Sequence, residues 1–351
     1  MNNPVLSLED ITPKWLSNLL HTKISAVSAV PIGTGQVGAT YRLTLTGKGA
    51  TATLVAKLPS NDALSRTTGK SHLTYLRESR FYQNFAGKKQ MAVPDHLYIA
   101  FDEDSHDFTL IMHDLPHHVP GNQLEEPSRA QALLAIDAAA GIHAAWWGDA
   151  MLDTLDWPNG TKAVPPPLDV DMLYAMFWLA FCDRYDERVS ADMRTVGEAF
   201  LGNLVTHFDQ RLSPRCLTHN DFRPDNMLFD INDAAKPIVI VDWQTTGVGV
   251  GIGDIAYYAG TAFDAENRRV IEPELLSYYR KALIERGVSE RDLAFIQEDY
   301  ARSAVSGFLM GVTAAMVVER TDRGDDMFLA MARRSAAMVL DHREFSIPSP
   351  G

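Results

Sequence analysis

Residues 216–230 read CLTHNDFRPDNMLFD, and residues 236–244 read KPIVIVDWQ. Met227–Asp230 has the character of a strand, Asn232-Asp233 of a turn, and Ile238–Val241 of a buried return strand. In an antiparallel hairpin the entry of one strand lies beside the exit of the other. The spacing therefore predicts that Asn226, just before the first strand, meets Asp242, just after the second. Two hard oxygen ligands side by side suit magnesium held against phosphates. Asp221, five residues before Asn226, sits on the loop leading into that place. Each residue also has an ordinary reading: Asn226 as a turn, Asp242 as a cap, His219 as a packed core histidine. The three together at this spacing favour a phosphoryl-transfer site.

The other parts of such a site lie upstream. Residues 33–45 read GTGQVGATYRLTL, and Gly33, Gly35 and Gly38 fit G-x-G-x-x-G. A dinucleotide fingerprint would need a helix directly after the glycines. Here Tyr41, Leu43 and Leu45 alternate with Arg42, Thr44 and Thr46, which is a strand; Gly47-Lys48-Gly49 turns it back into a second strand, 51–58. Glycines at the tip of an antiparallel hairpin are the arrangement of a flap over a nucleoside triphosphate. The second strand carries TLVAKLP, with Lys57 on the same face as Val55 and Thr53. Residues 71–86 have a helical pattern ending at Gly87, and there Glu78 shares a face with Tyr75, Tyr82 and Phe85. A carboxylate turned inward needs a partner, and Lys57 is the economical choice. Paired in this way, Lys57 is placed to hold α- and β-phosphates.

Two more short strands are expected around 97–101 and 108–112. Helices are expected at the start, where Thr12-Pro13 precede Trp15, Leu16, Leu19 and Leu20, and at about 128–148, 169–187, 191–211, 272–286 and 290–319. The organisation is thus an α+β, bilobal one: a small antiparallel-β N-lobe at 1–115, and a larger mainly helical C-lobe at 116–351 holding the catalytic loop, metal site and acceptor pocket.

Composition limits the partners. With 32 Lys plus Arg against 45 Asp plus Glu, the 351-residue chain carries a formal charge of −13 and has no basic blocks. Nucleic acid and anionic membranes are poor partners for it. The opening MNNPVLSLEDITPKWL lacks a secretory pattern, and the most apolar stretches are too short to span a bilayer. Two cysteines, Cys182 and Cys216, make neither a disulfide framework nor a zinc site. A cytoplasmic monomer or weak homodimer is expected.

The set of motifs resembles the aminoglycoside phosphotransferase and choline kinase superfamily, whose fold is protein-kinase-like. HNDFRPDN, residues 219–226, looks like the loop H-x-D-x-x-x-x-N. VAKLP, LIMHDL, GIHAAWW and VDWQ look most like its ecdysteroid-kinase-like branch. The likeness runs from about Gly33 to Asp254. It implies that Asp221 orients the acceptor hydroxyl and takes its proton, that His219 braces the loop, and that Arg223 touches the γ-phosphate. It implies Asn226 and Asp242 as magnesium ligands, and a nucleotide, ATP or GTP, held by Gly33, Gly35, Gly38, Val55, Lys57 and Glu78. The His113 carbonyl and the Leu115 N–H would meet the base at the hinge, and Asp254 in IGDIAYY would support the loop. His113 departs from a more usual acidic hinge residue. Trp243-Gln244 after Asp242 departs from the Phe-Gly of a flipping switch.

The implied activity is ATP- and magnesium-dependent transfer of a γ-phosphate to the hydroxyl of a small molecule. A protein Ser/Thr kinase would need a docking segment ending in A-P-E, for which Asp242 to Asp254 is too short. A catalytically silent nucleotide-binding scaffold would be marked by loss of Lys57, Glu78, Asp221, Asn226 or Asp242, all of which are present. The acceptor stays open: an aminoglycoside, a choline-like amine or an apolar alcohol. Helix 171–187, with Tyr174, Phe177, Trp178 and Phe181, reads as a buried core helix or as the wall of a pocket for an apolar alcohol. Asp183, Asp186 and Glu187, or Glu319, Asp322, Asp325 and Asp326, would suit an amine.

Overall fold

The computed structural model describes residues 4–33, 38–47, 50–155, 157 and 169–348. They form two compact units. One comprises Met1–His118 with Val241–Thr246; the other comprises Val119–Ile240 with Gly247–Gly351.

The first unit is built on a sheet. Helix α1 (Pro13–Leu20) starts with Pro13 at its first position, and the Thr12 hydroxyl accepts the Trp15 N–H at 3.1 Å. Strands β1 (Ile24–Pro31), β2 (Gly38–Gly47) and β3 (Ala50–Pro59) follow. Helices α2 (Ala63–Ser71) and α3 (Thr74–Asn84) lead to β4 (His96–Phe101) and β5 (Phe108–His113). The sheet order is β1-β2-β3-β5-β4, with every neighbouring pair antiparallel. Period-two alternation puts Leu43 and Leu45 of β2, and Leu54, Ala56 and Leu58 of β3, into one core with Leu16 and Ile111. Each buried leucine contributes about 1.5–3 kcal/mol. The alternation leaves Thr53, Val55 and Lys57 on the less buried face of β3.

Sequence reading missed β1 and drew one helix over 71–86. The structure divides that stretch at Leu73, which is left-handed at φ 58°. The break is held by the Thr74 hydroxyl, which donates to the Gly69 carbonyl at 3.0 Å, and by burial of the Leu73 side chain.

The second unit opens with β6 (Val119–Pro120) and α4 (Arg129–Ala145), the latter started by a capping box of Ser128 and Gln131. Then come α5 (Val170–Tyr185), α6 (Ala191–Ala199) and α7 (Leu204–Phe208). Strands β7 (Arg215–Thr218), β8 (Met227–Phe229), β9 (Ile238–Ile240) and β10 (Gly247–Val250) form two small antiparallel sheets, β10-β7 and β6-β8-β9. Helices α8 (Ile252–Ala262), α9 (Ala265–Glu285), α10 (Ile296–Ser303), α11 (Ser306–Val317) and α12 (Asp322–Asp341) complete it.

Helix boundaries differ from the expected ones for local reasons. The 191–211 stretch is broken by Gly202, at φ 73°. The long segment after 290 is interrupted between Ser303 and Ser306, and α12 was not foreseen. On α5, Tyr174, Trp178, Phe181 and Tyr185 form the buried stripe of a core helix, while Phe177 is only half-buried. Among the described residues no helix is long and apolar enough to cross a membrane.

Candidate active-site residues

In the first unit, antiparallel register sets Lys57 opposite Thr40 on one side and Leu110 on the other. Its Nζ donates to Glu78 Oε1 at 2.8 Å and to Asp242 Oδ1 at 2.8 Å, and lies 2.7 Å from Glu78 Oε2. Glu78 is delivered by α3 into a nearly closed environment, 3% exposed, beside buried Tyr75 and Tyr82. Burial alone would lower the Lys57 pKa, but the carboxylates of Asp242 and Glu78 outweigh it and raise it well above the ordinary lysine range. The ammonium is therefore permanently charged.

Asp242 sits at φ 67°, a left-handed conformation that a non-glycine residue holds only under constraint. The constraint comes from α3. The Trp243 indole stacks on Phe81 with centroids 3.8 Å apart and planes 4° from parallel. The Trp243 backbone N–H donates to Glu78, Arg77 Nη1 donates to the Thr246 carbonyl at 2.9 Å, and Gln244 Nε2 donates to Asp242 Oδ2 at 3.1 Å. Trp243 and Gln244, which in the sequence only stood out as departures, are thus what fixes the aspartate. Arg77 and Phe81 were missed; their i−1 and i+3 spacing from Glu78 is the signal that could have found them.

The glycines divide three ways. Gly33 is left-handed at φ 74°, where glycine is at no disadvantage. Gly35 lies outside the described residues. Gly38 opens β2, where an added Cβ would stand 3.4 Å from the Leu58 carbonyl oxygen and 3.7 Å from Lys57 Cε, ordinary contacts that do not demand glycine. At the expected hinge, the Leu115 N–H donates to the Asp114 carboxylate at 2.9 Å and the His113 N–H to the Asp95 carbonyl at 3.0 Å. Asp114 is in turn gripped by Arg42, Nε to Oδ2 at 2.8 Å. The expected Leu115 donor is therefore already engaged.

In the second unit, β7 leads into the loop that carries His219, Asp221, Arg223 and Asn226. Buried Asp254, near the start of α8, accepts the backbone N–H groups of His219 at 2.7 Å and Asn220 at 2.8 Å. It also lies 3.1 Å from His143 Nε2, while His143 Nδ1 is 2.7 Å from the Tyr279 hydroxyl. Burial would raise the Asp254 pKa, but the bond and charge of His143 and the bond from His219 outweigh it and leave it lowered. A carboxylate only accepts, so His143 carries a proton on Nε2. His143 lies in the GIHAAWW stretch; Tyr279 had no signal in the sequence.

His219 is fully buried, and its Nδ1 accepts the Asp221 N–H at 3.3 Å, a bracing contact inside the loop. The Asp221 carboxylate takes three side-chain donors. Tyr257 Oη donates to Oδ1 at 2.6 Å, Asn226 Nδ2 to Oδ2 at 2.8 Å, and Arg223 Nε to both oxygens at 3.1 Å. Asn226 Nδ2 also donates to the Asp221 carbonyl at 2.9 Å, which commits the amide nitrogen to the loop. Arg223 Nη1 donates to Asp225 Oδ2 at 2.8 Å. Burial would lower the Arg223 pKa, but Asp221, Tyr257 and Asp225 raise it instead. Its guanidinium is thus spent on the loop's own carboxylates. Tyr257 and Asp225 were not singled out in the sequence.

Residues 28–292 match the model of the phosphotransferase enzyme family. Two solved structures share the fold. A spectinomycin phosphotransferase, solved with ADP and spectinomycin, is 13% identical with a TM-score of 0.50, over 95% of this chain and 99% of that one. Choline kinase from Cryptosporidium parvum Iowa II is 11% identical with a TM-score of 0.52, over 88% of this chain and 89% of that one. No curated protein matches the chain in sequence.

Proposed function

The chain belongs to the phosphotransferase enzyme family, and on that footing we propose that it moves the γ-phosphate of ATP, with magnesium, to a hydroxyl of a small molecule. Its fold is α+β and protein-kinase-like, a five-stranded antiparallel unit and a mainly helical one. The observation that carries the proposal is the Asp221 carboxylate, aimed by Tyr257, Asn226 and Arg223. A carboxylate held this way can orient an acceptor hydroxyl and take its proton as the phosphorus–oxygen bond forms. Lys57, fixed by Glu78 and Asp242, would hold α- and β-phosphates as a permanent cation. Gly33, Gly35, Gly38 and Val55 would lie about the nucleotide, with the His113 carbonyl at the base.

The chain's own groups suit magnesium. Register pairs Met227 with Ile240, so Asn226 precedes one strand and Asp242 follows the other by two residues. Among the described residues no three His, Cys, Asp or Glu side chains form a metal cluster by themselves. An amide oxygen and a carboxylate oxygen, the donors that Asn226 and Asp242 would offer, are hard ligands of the kind taken by an ion that keeps water and phosphate oxygens as its others. When bound, the ion would neutralise charge on the phosphates. Catalysis is then positioning and fixed electrostatics, with Asp221 the one group that moves a proton. With both cysteines free, a cytoplasmic setting, where ATP is abundant, agrees with this reading.

The test is calorimetric titration of ATP and of GTP, each with and without magnesium, on the wild type and on Asp242→Asn. The expected result is magnesium-dependent binding of ATP that Asp242→Asn weakens. Binding of GTP alone would change the nucleotide. Binding of neither would overturn the proposal.

A further inference from the structure

The helical unit contains a hollow of two neighbouring parts near the loop that carries Asp221. Its inner part, about 250 Å³, is bounded by Asn220, by Tyr257 and by Leu309 and Met310 of α11. Tyr257 is the residue whose hydroxyl donates to Asp221, so this part lies one side chain away from that carboxylate. Its outer part, about 380 Å³, is bounded by Leu173, Tyr174 and Phe177 of α5 and by Val205 of α7. Phe208, Leu309 and Thr313 line both parts, so the two are neighbours. Together they have the size of a small-molecule site.

The lining is unusual for a surface that meets water. On α11 the buried face, Gly307, Phe308, Gly311, Val312 and Ala315, packs into the core. Leu309, Met310 and Thr313 are left half-buried along the hollow. At its outer end Val170 and Val205 are 51% and 48% exposed, so the outer part meets the surface through apolar side chains.

The charges argue against an amine. The lining holds two carboxylates, Asp254 and Asp209. Asp254 is already used by His143, His219 and Asn220. Asp209 is offset by Arg211, which lies in the inner wall. A quaternary ammonium would need an open aromatic face. Of the aromatic rings in the lining, Phe208 is already covered by the Arg211 guanidinium, 4.8 Å from its centroid, and Tyr174 and Tyr257 are buried, which leaves half-buried Phe177 as the ring to face a cation. Two of the acidic residues considered for an amine have other partners: Asp325 binds Tyr185 and Arg320, and Asp326 binds Arg188.

We infer that the acceptor is a neutral alcohol with an elongated apolar body, seated between α5, α7 and α11 with its hydroxyl at Asp221. The inference deepens the phosphotransfer reading and rests on it. The alcohol oxygen bonds to the γ-phosphorus, the bridging oxygen leaves with ADP, and the hydroxyl proton passes to the Asp221 carboxylate.

The experiment assays the full-length protein with ATP and magnesium against decanol, geraniol, choline and kanamycin. ADP release and the phosphoester are both followed, the latter by phosphorus NMR. Leu309→Trp and Thr313→Phe narrow the hollow at two points, and nucleotide affinity is measured in each to show that the fold survives. Decanol and geraniol are expected to be phosphorylated, and each substitution to raise the KM for decanol by about tenfold or more. Preference for choline or kanamycin would overturn the inference, as would decanol turnover indifferent to both substitutions. Nucleotide binding with no alcohol phosphorylated would overturn it and leave the phosphotransfer reading standing. No nucleotide binding would overturn both.

Discussion

Lys57 shows how a single residue can be both structural and chemical. Its ammonium is shared by Glu78, which is buried, and by Asp242, whose side chain is 28% exposed. Removing the cation strands the more deeply buried partner, because Glu78 cannot reach water to be solvated. Lys57→Met should therefore destabilise the sheet-based unit by about 3–5 kcal/mol. Lys57→Met with Glu78→Leu should recover most of that, since the pair is then replaced by packed apolar groups. Urea unfolding of the three proteins decides it; a double variant no more stable than the single one would mean that the pair does not carry the effect. The pairing was legible in the sequence because Glu78 shares a helical face with aromatic residues, and an inward carboxylate demands a cation. The hinge was less legible. The engagement of the Leu115 N–H by the neighbouring Asp114 carboxylate is a side-chain conformation that no pattern of residue types dictates.

At the scale of elements, close approach matters more than propensity. Gly251, at the start of α8, has φ −58°, so its backbone accepts any residue. A Cβ there would nevertheless stand 2.7 Å from His143 Cγ and Nδ1 and 2.8 Å from the Tyr279 hydroxyl. These are the two groups that hold Asp254 under the loop. Gly251→Ala should cost about 1–3 kcal/mol by overpacking, and it should lower kcat as well by loosening the loop. Thermal unfolding with wild-type stability would show that the pocket around His143 relaxes freely. Long periodic elements were legible, α4 and α5 among them. Strand β1 was not, because ISAVSAVP is mostly small residues on a largely exposed strand, with little hydrophobic alternation to read. Helix α9, expected at about 272–286, begins at Ala265 and runs through Pro273. Pro273 lies on the exposed side, so the carbonyl it leaves without an N–H partner faces water. For the loop at 219–226, residue types and spacing drew attention to Asp221 and Asn226, while the parts of His219 and Arg223 came from the family resemblance. Tyr257 and His143 come from other helices and needed the tertiary fold.

Over the whole molecule the acidic balance has a directional consequence. The sequence pI is about 5.3, so the chain turns net positive below that. Exposed pairs such as Arg188–Asp326 carry little stability. The carboxylates that matter are those held inside each unit. In the helical unit Asp254, Asp225 and Glu272 have lowered pKa values; burial would raise each, and His143, Arg223 and His342 respectively are foremost among the partners that outweigh it. In the sheet-based unit Asp107 is lowered in the same way by Arg66 and Lys70. A carboxyl whose native pKa lies below its unfolded value binds more protons when unfolded, so it stabilises the native state above the unfolded pKa. For Asp254 that contribution is complete above the ordinary value of 3.8 and is lost as pH falls from there through the lower native value. Urea midpoints measured over a series of pH values should therefore drop steeply below about 4, the ordinary carboxyl range. Because Asp254 is the fully enclosed member of the set and binds two loop N–H groups, Asp254→Asn should flatten that drop while lowering stability at neutral pH. An Asp254→Asn protein that keeps the wild-type slope would place the acid sensitivity on the other carboxylates, and would reduce Asp254 to a hydrogen-bond acceptor whose charge is immaterial.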